Sequence, residues 1–182
     1  MKKVLFLATI FLISTSVFAQ SDVLPNVVKV NPLGAFFGSA NLGYERALNE
    51  KTSVLIAPSF GMLKSGGFKY RTYGLGVEYR LYFTGSAPKG TYVAPGVQYA
   101  FGTAKVEDSF DGSNDQKTNI TNFSGKAVIG HQWIWSSGFV LDLNGGIQYT
   151  SYKFKDNSGF FDGASAFSGI LPALGLSLGY NF

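Results

Sequence analysis

The fold is decided by residues 169–182, which read G-I-L-P-A-L-G-L-S-L-G-Y-N-F. Every second residue of this stretch is apolar, and the series ends in aromatic residues: Ile170, Pro172, Leu174, Leu176, Leu178, Tyr180 and Phe182. The residues between them are mostly small or weakly polar. A repeat of two is typical of a β-strand with two different faces. The apolar face suits hydrocarbon, and the small, uncharged face suits the crowded interior of a narrow barrel.

The same alternation recurs along the chain and predicts eight strands. The predicted ranges are 28–36, 39–47, 52–62, 72–83, 91–103, 123–135, 139–150 and 169–182. Connections after the second, fourth and sixth strands are short, whereas those after the third, fifth and seventh are longer and polar or glycine-rich. Membrane barrels have this asymmetry, with short periplasmic turns and long extracellular loops. The sequence therefore predicts an all-β fold, an eight-stranded antiparallel up-and-down transmembrane β-barrel.

Three prolines lie inside predicted strands, at Pro58, Pro95 and Pro172. Proline has no N–H to donate to a β-ladder, and a lost ladder bond is costly where no water can replace it. We therefore expect bulges or irregularities at these positions.

The first 19 residues form a separate unit. Lys2 and Lys3 precede a short apolar run, and small residues follow with Val17 and Ala19 at positions −3 and −1 of a cleavage site. The run is shorter than the about 20 residues that a spanning helix needs. We expect a cleaved signal peptide at 1–19, export, and a barrel domain at 20–182 in the bacterial outer membrane.

The charge balance excludes one class of partner. Removal of the two signal-peptide lysines takes two of the 15 basic residues and none of the 11 acidic ones. The remaining chain has no basic stripe of the kind that binds phosphates, so we expect no nucleic-acid partner. The chain contains no cysteine, which excludes disulfides and thiolate metal sites.

Leu178, Tyr180 and Phe182 carry a family resemblance. A terminal phenylalanine preceded by aromatic or aliphatic residues at alternate positions is similar to the closing strand of bacterial outer-membrane barrels. With the signal peptide and eight alternating strands, the chain resembles the small OmpX/OmpA-type barrels. The resemblance implies outer-membrane lipid as surroundings and recognition of Phe182 by the barrel-assembly machinery. It says little about function.

A set of ionisable residues falls on the inward face of the predicted strands. It comprises Glu45, Glu78, Arg80, Lys126 and Asp142, with Lys29 as a further possible member. A pair of carboxylates is also the machinery of a glycosidase. However, an eight-stranded barrel is filled by its own side chains, so no sugar fits between Glu45 and Glu78. We interpret the set as a structural network of ions and hydrogen bonds that plugs the interior.

The outward face carries aromatic residues near the predicted periplasmic end. We expect Trp133, Trp135, Phe139, Tyr180 and Phe182 to form an aromatic girdle, since such residues favour membrane interfaces. His131, the only histidine, falls on the same face. Its expected outward neighbours, Val93, Pro95, Leu141 and Leu143, include no nucleophile or orienting acid. We therefore predict an interfacial role for His131 and no catalytic residue.

Three predicted loops, at 63–69, 107–119 and 154–168, offer surface for an extracellular partner. The second contains Asp108, Asp111, Gly112, Asn114 and Asp115, which faintly resemble a Ca²⁺ loop but lack the EF-hand spacing and its closing glutamate. We predict no cofactor-binding and no metal-binding residue.

The prediction for function is a monomeric, non-enzymatic outer-membrane barrel with a structural or surface-interaction role. Two alternatives are an outer-membrane lipid-modifying enzyme and a narrow passive pore. A third is a soluble lipocalin-like barrel, which would need the apolar face inside and the glycine- and serine-rich face outside.

Overall fold

The computed structural model describes residues 24–36, 38–65, 68–106, 116–155 and 168–182. The predicted signal peptide and Asp108, Asp111, Gly112, Asn114 and Asp115 lie outside these residues. The described elements are β1 (Asn26–Val30), α1 (Pro32–Phe36), β2 (Ser39–Asn49), β3 (Thr52–Ser65), β4 (Phe68–Tyr82), β5 (Gly90–Val106), β6 (Gln116–Ile134), β7 (Phe139–Lys155) and β8 (Gly169–Asn181).

The strands form one closed barrel in which each strand pairs with its neighbours in the sequence. All neighbours are antiparallel, and β1 pairs with β8 to close the sheet. The predicted eight-stranded up-and-down architecture is confirmed. Closure leaves no free edge where β1 and β8 pair, over Val27–Val30 and Leu178–Asn181.

The two faces of each strand differ as the alternation requires. On β4, Leu75, Val77 and Tyr79 are exposed on the outside, whereas Glu78 and Arg80 are buried inside. The same holds around the barrel, so that most large exposed side chains of the strands are apolar or aromatic. A lipocalin-like barrel would need the reverse orientation.

Several strands extend into segments predicted as loops. Leu63–Ser65 belongs to β3, residues 68–69 belong to β4, 116–119 belong to β6 and 154–155 belong to β7. The predicted loops 63–69, 107–119 and 154–168 are therefore shorter than expected. The strands continue into these segments because paired strands satisfy their backbone hydrogen bonds whether or not the outward side chains are apolar. Thr118 and Ile120 on β6 continue the buried inner face into this region.

The predicted first strand is wrong beyond Val30. Residues Pro32–Phe36 form the short helix α1 instead of continuing β1. Proline fits the first turn of a helix because its missing N–H has no partner there anyway. Asn31 supports the turn, since its Oδ1 accepts a hydrogen bond of 3.1 Å from the Gly34 N–H.

Pro58 and Pro95 each interrupt one ladder and leave the other intact, whereas Pro172 lies where β8 has a single ladder. The β2–β3 pairing stops between Asn41 and Tyr44, opposite Pro58, and resumes in the same register. The β4–β5 pairing likewise has a gap opposite Pro95. Pairing of β7 with β8 continues without a gap through Pro172, so the missing N–H of Pro172 points away from β7. Pro58 and Pro95 therefore lie opposite interrupted ladders without a shift of register.

Chain segments pack into the short-turn end of the barrel. The β4–β5 connection folds inward, so that Ala87 and Pro88 are buried. The Pro88 carbonyl accepts a 2.6 Å hydrogen bond from Nε2 of Gln132 on β6. Val27, Ile134 and Val140 form a small apolar cluster at the same end.

The wall of the barrel is uneven in height. β6 has 19 residues, and β5 and β7 have 17 each, more than the about 9–11 residues that span a membrane. β1 has only five residues. Among the described residues, β8 pairs with β1 only from Leu178 onward, so residues 169–177 have β7 as their single ladder partner. We call the gap between β8 residues 169–177 and the segment from Asn31 to Gly43 the β8 seam.

Candidate functional site: an interior ion cluster and the cavity beside it

Six ionisable residues meet inside the barrel, and we call them the interior ion cluster. They are Lys29, Glu45, Glu78, Arg80, Lys126 and Asp142. The alternation of each strand directs these side chains inward, and the antiparallel registers bring them to similar heights. Strands β1, β2, β4, β6 and β7 each supply at least one of them.

Arg80 occupies the centre of the cluster. Its Nη1 lies 2.7 Å from Oδ2 of Asp142 and 3.2 Å from Oε2 of Glu45, and its Nη2 lies 3.0 Å from Oε2 of Glu78. The guanidinium carbon also lies 4.3 Å from the centroid of the Tyr92 ring. Arginine suits this position because its planar fork can bond several carboxylates at once and stack on an aromatic face.

Lys29 completes a square of two cations and two carboxylates. Its Nζ lies 2.6 Å from Oε2 of Glu45 and 2.7 Å from Oδ2 of Asp142, the oxygens that Arg80 also contacts. Nζ donates a further hydrogen bond to Oε1 of Gln132. The side chains of Lys29, Arg80, Glu45 and Asp142 are at most 2% exposed. Buried charges are tolerated when paired and hydrogen-bonded in this way.

Hydroxyl groups satisfy the outer oxygens of the two central carboxylates. Oε1 of Glu45 accepts hydrogen bonds from Ser53 at 2.5 Å and from Tyr82 at 2.6 Å. Oδ1 of Asp142 accepts one of 2.6 Å from Tyr92. With Ser53 on β3 and Tyr92 on β5, seven of the eight strands contribute to this network. β8, whose sequence has no charged residue, is the exception.

Glycines provide the room for these long side chains. Gly130 pairs with Tyr92 across β5 and β6, and a methyl group at Gly130 would lie 2.6 Å from Cζ of the Tyr92 ring. A methyl group at Gly96 would lie 2.9 Å from Cγ of Glu78 and 3.3 Å from Cε of Lys126. The absence of Cβ at these positions therefore lets the side chains of Tyr92, Glu78 and Lys126 lie against the barrel wall.

Lys126 is the accessible member of the cluster. Its Nζ lies 2.7 Å from Oε1 of Glu78, and its side chain is 27% exposed. It lines an interior cavity of about 280 Å³ with Glu78, Gln98, Asn144 and Gln148. The ion cluster therefore forms one boundary of this cavity.

A second cavity of about 310 Å³ continues toward the end of the barrel that carries the longer connections. It shares Asn41, Gln98 and Gln148 with the first and adds uncharged groups such as Asn122 and Ser124. Nδ2 of Asn122 is buried without a hydrogen-bond partner among the described residues. The lumen beyond the ion cluster is thus polar and only partly filled.

The structure places the sequence-predicted interior residues as follows. Glu45, Arg80 and Asp142 meet at the centre, and Glu78 joins Arg80 to Lys126. Lys29, predicted only as a possible member, occupies a central position. The hydrogen bond from Ser53 to Glu45 was missed, since alternation places a polar residue inside without naming its partner.

The predicted aromatic residues lie together on the outside at the short-turn end. Trp133, Trp135, Phe139, Tyr180 and Phe182 are all exposed. The rings of Trp135 and Phe139 are 5.3 Å apart between centroids, and Phe139 pairs with Tyr180 across β7 and β8.

His131 has a neighbour that the sequence analysis missed. Its Nδ1 lies 2.7 Å from Oγ1 of Thr91, the residue that faces it on β5. The expected list of outward neighbours was wrong in omitting this hydroxyl. The ring of Trp133 contacts the His131 ring, with centroids 4.4 Å apart and an angle of 48° between the ring planes. Among the described hydrogen bonds and ion pairs, no carboxylate orients His131 as a catalytic triad would require.

The described part of the chain holds no group of three or more histidine, cysteine or acidic residues arranged to bind a metal ion. None of its described helices is long and apolar enough to cross a membrane.

The fold and the cluster define the class: a closed antiparallel up-and-down β-barrel with a charged, hydrogen-bonded interior and an apolar outer surface. Within that class, the chain belongs to the family described as "Protein of unknown function (DUF3575)", whose model matches residues 5–182. No curated protein matches the chain. A crystal structure of Acinetobacter baumannii CarO2 is similar, with a TM-score of 0.48 and 12% identity over 89% of this chain and 100% of that one. A likeness this distant does not bear on function.

Proposed function

We propose that the protein is an integral outer-membrane β-barrel, exported by its signal peptide and monomeric in the membrane. The observation that carries this proposal is the inversion of the usual burial pattern. Charged side chains such as Arg80 and Asp142 are buried, whereas apolar ones such as Leu75 and Leu174 are exposed. A soluble protein rarely exposes so much contiguous apolar surface, because contact of that surface with water is unfavourable. In a membrane, lipid covers the surface and removes this cost.

The interior of this barrel is plugged, and the protein is non-enzymatic. Support comes from the interior ion cluster, in which two cations and two carboxylates contact one another across the lumen. A solute that passed would have to separate these ions, and leaving one buried charge unpaired costs about 3–5 kcal/mol. The cluster therefore acts as a structural fastener between strands and as a barrier to ions.

The surface role lies at the end with the longer connections. The β5–β6 and β7–β8 hairpins are the tallest part of the wall and carry their connections beyond a bilayer of ordinary thickness. An extracellular partner would bind these connections, within 107–119 and 154–168, with the β3–β4 connection within 63–69 beside them. The barrel then serves as the membrane-anchored support for this surface.

Expression of the full chain in a bacterium with two membranes tests the proposal. We expect the mature protein in the outer-membrane fraction, with different gel mobility before and after boiling because a closed barrel resists detergent. Deletion of 108–114 should leave both properties intact and reduce capture of a surface partner by intact cells. Recovery of the chain as a soluble periplasmic protein would overturn the membrane assignment.

A further inference from the structure

A second set of aromatic side chains lies on the outer surface, toward the end with the longer connections. It comprises exposed residues of five neighbouring strands, and we call it the upper aromatic row: Phe60, Tyr73, Phe101, Phe123 and Tyr149. Tyr73 pairs with Phe60 on one side and Phe101 on the other, with ring centroids 5.2 Å and 6.1 Å apart. Aromatic residues of this kind favour the interface between membrane and water.

The distance between the two aromatic sets matches the thickness of a membrane. On β6, Phe123 lies ten residues before Trp133, which belongs to the set at the short-turn end. At about 3.4 Å per residue, a strand tilted by about 40° rises about 26 Å along the barrel axis over this length. The apolar band of an outer-membrane barrel is about 25 Å tall, with aromatic residues at both edges. The upper aromatic row therefore lies at the second edge of the proposed membrane.

Basic residues follow directly beyond the upper aromatic row on the same outer face. Each lies two to four residues farther along its strand than the aromatic residue, and we call them the basic rim: Lys64, Lys69, Arg71, Lys105 and Lys153. Strand pairing assembles them, since Lys69 lies opposite both Lys64 and Lys105. The sequence shows no basic stripe because four different strands contribute to the rim.

The described part of the chain places no carboxylate at this end of the barrel. Its acidic residues lie in the interior ion cluster and in the turn after β2: Glu45, Glu78, Asp142 and Glu50. Six further acidic residues fall within 107–115 and 156–162, outside the described residues. Like charges directly opposite each other destabilise a sheet, so an anion beside the paired lysines stabilises this part of the wall.

Three members of the basic rim have their charged groups available. The side chains of Lys64, Arg71 and Lys153 are exposed and form no hydrogen bond or ion pair with another described residue. Lys69 and Lys105 take part in further interactions. An anionic ligand would therefore be held first by the three exposed cations.

Hydroxyl and amide groups lie between these cations. Strand pairing continues from Arg71 to Thr103 on β5 and from there to Asn119 on β6. Thr121 lies opposite Lys153. Guanidinium and ammonium groups bond phosphates strongly, and hydroxyls and amides can bond the hydroxyls of a sugar. The surface beyond the upper aromatic row thus offers contacts for phosphate and for sugar.

We propose that the basic rim binds a phosphorylated glycolipid of the outer leaflet. The acyl chains lie against the upper aromatic row, one phosphate lies at Lys64 and Arg71, and the sugar lies along Thr103 and Asn119. Lys153, at the far end of these polar groups, contacts a second phosphate. Clusters of cations beside a membrane attract anionic lipids in this way. The inference rests on the proposed membrane location and adds a ligand that location alone does not imply.

Lipid retention tests the proposal with probes of known chemistry. The full-length protein is freed of lipid and reconstituted in phosphatidylcholine vesicles with small, equal amounts of phosphatidylglycerol and hexa-acyl lipid A carrying two phosphates. It is then extracted in mild detergent, and the retained lipids are quantified by mass spectrometry. Each cation near a membrane surface contributes about fivefold to binding of an anionic lipid. We expect lipid A to be retained at least about fivefold more than phosphatidylglycerol, and lipid A with one phosphate to be retained less by a similar factor.

A matched pair of double variants locates the phosphate site. Lys64→Gln combined with Arg71→Gln should lower the retained lipid A by about fivefold or more. Lys51→Gln combined with Lys89→Gln removes the same charge from exposed positions at the short-turn end and should not change retention. Because all four side chains are exposed, gel mobility before and after boiling should stay as in the wild type. Inorganic phosphate at the same phosphate concentration should not displace the lipid, since the acyl chains also hold it.

Each other result counts against the proposal. Equal retention of phosphatidylglycerol would overturn the glycolipid, and equal retention of lipid A with one and with two phosphates would overturn the recognition of phosphate. Displacement by inorganic phosphate would show a phosphate site without a lipid. No retained lipid, the result expected if the acidic residues within 107–115 and 156–162 neutralise the basic rim, would refute the site.

Gel mobility and membrane fraction are measured on every sample to separate the two proposals. A wild-type chain that is heat-modifiable in the outer membrane yet retains no lipid A refutes the ligand alone. Absence of the chain from that membrane refutes the proposed function first.

Discussion

Arg80 and Asp142 are 62 residues apart in the chain, yet Nη1 of Arg80 lies 2.7 Å from Oδ2 of Asp142. The two residues lie on β4 and β7, so the bond crosses the lumen instead of following the wall. Because Asp142 also accepts bonds from Lys29 and Tyr92, this carboxylate joins four strands. The barrel is therefore held by its ladders and also by ionic contacts across its interior.

The first prediction concerns Arg80. Arg80→Leu leaves Glu45, Glu78 and Asp142 with fewer cations, and breaking a buried pair costs about 3–5 kcal/mol. We expect this loss in the free energy of unfolding, measured by denaturant titration in lipid vesicles, together with loss of the gel shift. Arg71→Leu, an exposed arginine on the same strand, is the control and should change stability little. Equal stability of Arg80→Leu and the wild type would mean that the interior ion cluster does not stabilise the barrel.

The second prediction concerns the square formed by Lys29. Lys29→Met and Asp142→Asn should each destabilise the barrel, and the double variant should lose less than the two single losses combined. Residues in one ionic network typically show interaction energies of about 0.5–3 kcal/mol in such a double-mutant cycle. Additive losses would mean that the 2.7 Å contact between the two does not stabilise the fold.

The third prediction concerns space for Tyr92. Gly130→Ala places a methyl group against the Tyr92 ring, and overpacking of this kind costs about 1–3 kcal/mol. Gly125→Ala, on the same strand, is the control because no heavy atom lies within 4 Å of the added methyl group. The unfolding midpoint should fall for the first variant only. A Tyr92→Phe background would not relieve the clash, whereas Tyr92→Ala would relieve the contact with the ring and leave the 2.8 Å approach to Cβ of Asn144.

The fourth prediction concerns the depth of the aromatic residues. The chain has two tryptophans, Trp133 and Trp135, so its tryptophan fluorescence reports on the short-turn end alone. Tryptophan prefers the membrane interface. Lipids brominated near the head group should therefore quench the emission more strongly than lipids brominated near the chain end. Emission typical of water, with no quenching by either lipid, would refute the aromatic girdle.

Alternation predicted most of the fold because it reports directly on which face is buried. On β4 it placed Leu75 outside and Glu78 inside, as the structure has them. It could not predict where strands end at the long-loop end, since Thr118 and Asn119 pair as well as apolar residues do. It also misassigned Pro32–Phe36 as strand. Five residues are too few to distinguish the alternation of a strand from the periodicity of a helix.

The partners within the site could not be predicted from the sequence in the same way. Alternation places Asp142 and Arg80 inside, but their contact depends on register across four strands. Lys29 lies on a strand of five residues, too short to fix its own face. The break beside β8 arises because β1 ends at Val30. In the sequence, only the proline at position 172 indicated an unpaired side of this strand.

The central claim is that the interior ion cluster closes the barrel to ions. Single-channel recording of the purified protein in planar lipid bilayers tests this claim most directly. If the ion cluster closes the barrel, folded wild-type protein gives no stable ion current, because Arg80, Lys29, Glu45 and Asp142 fill the lumen. Insertion is verified in the same preparation by protection of the strands from added protease. Steady, reproducible current steps from inserted wild-type protein would contradict the account.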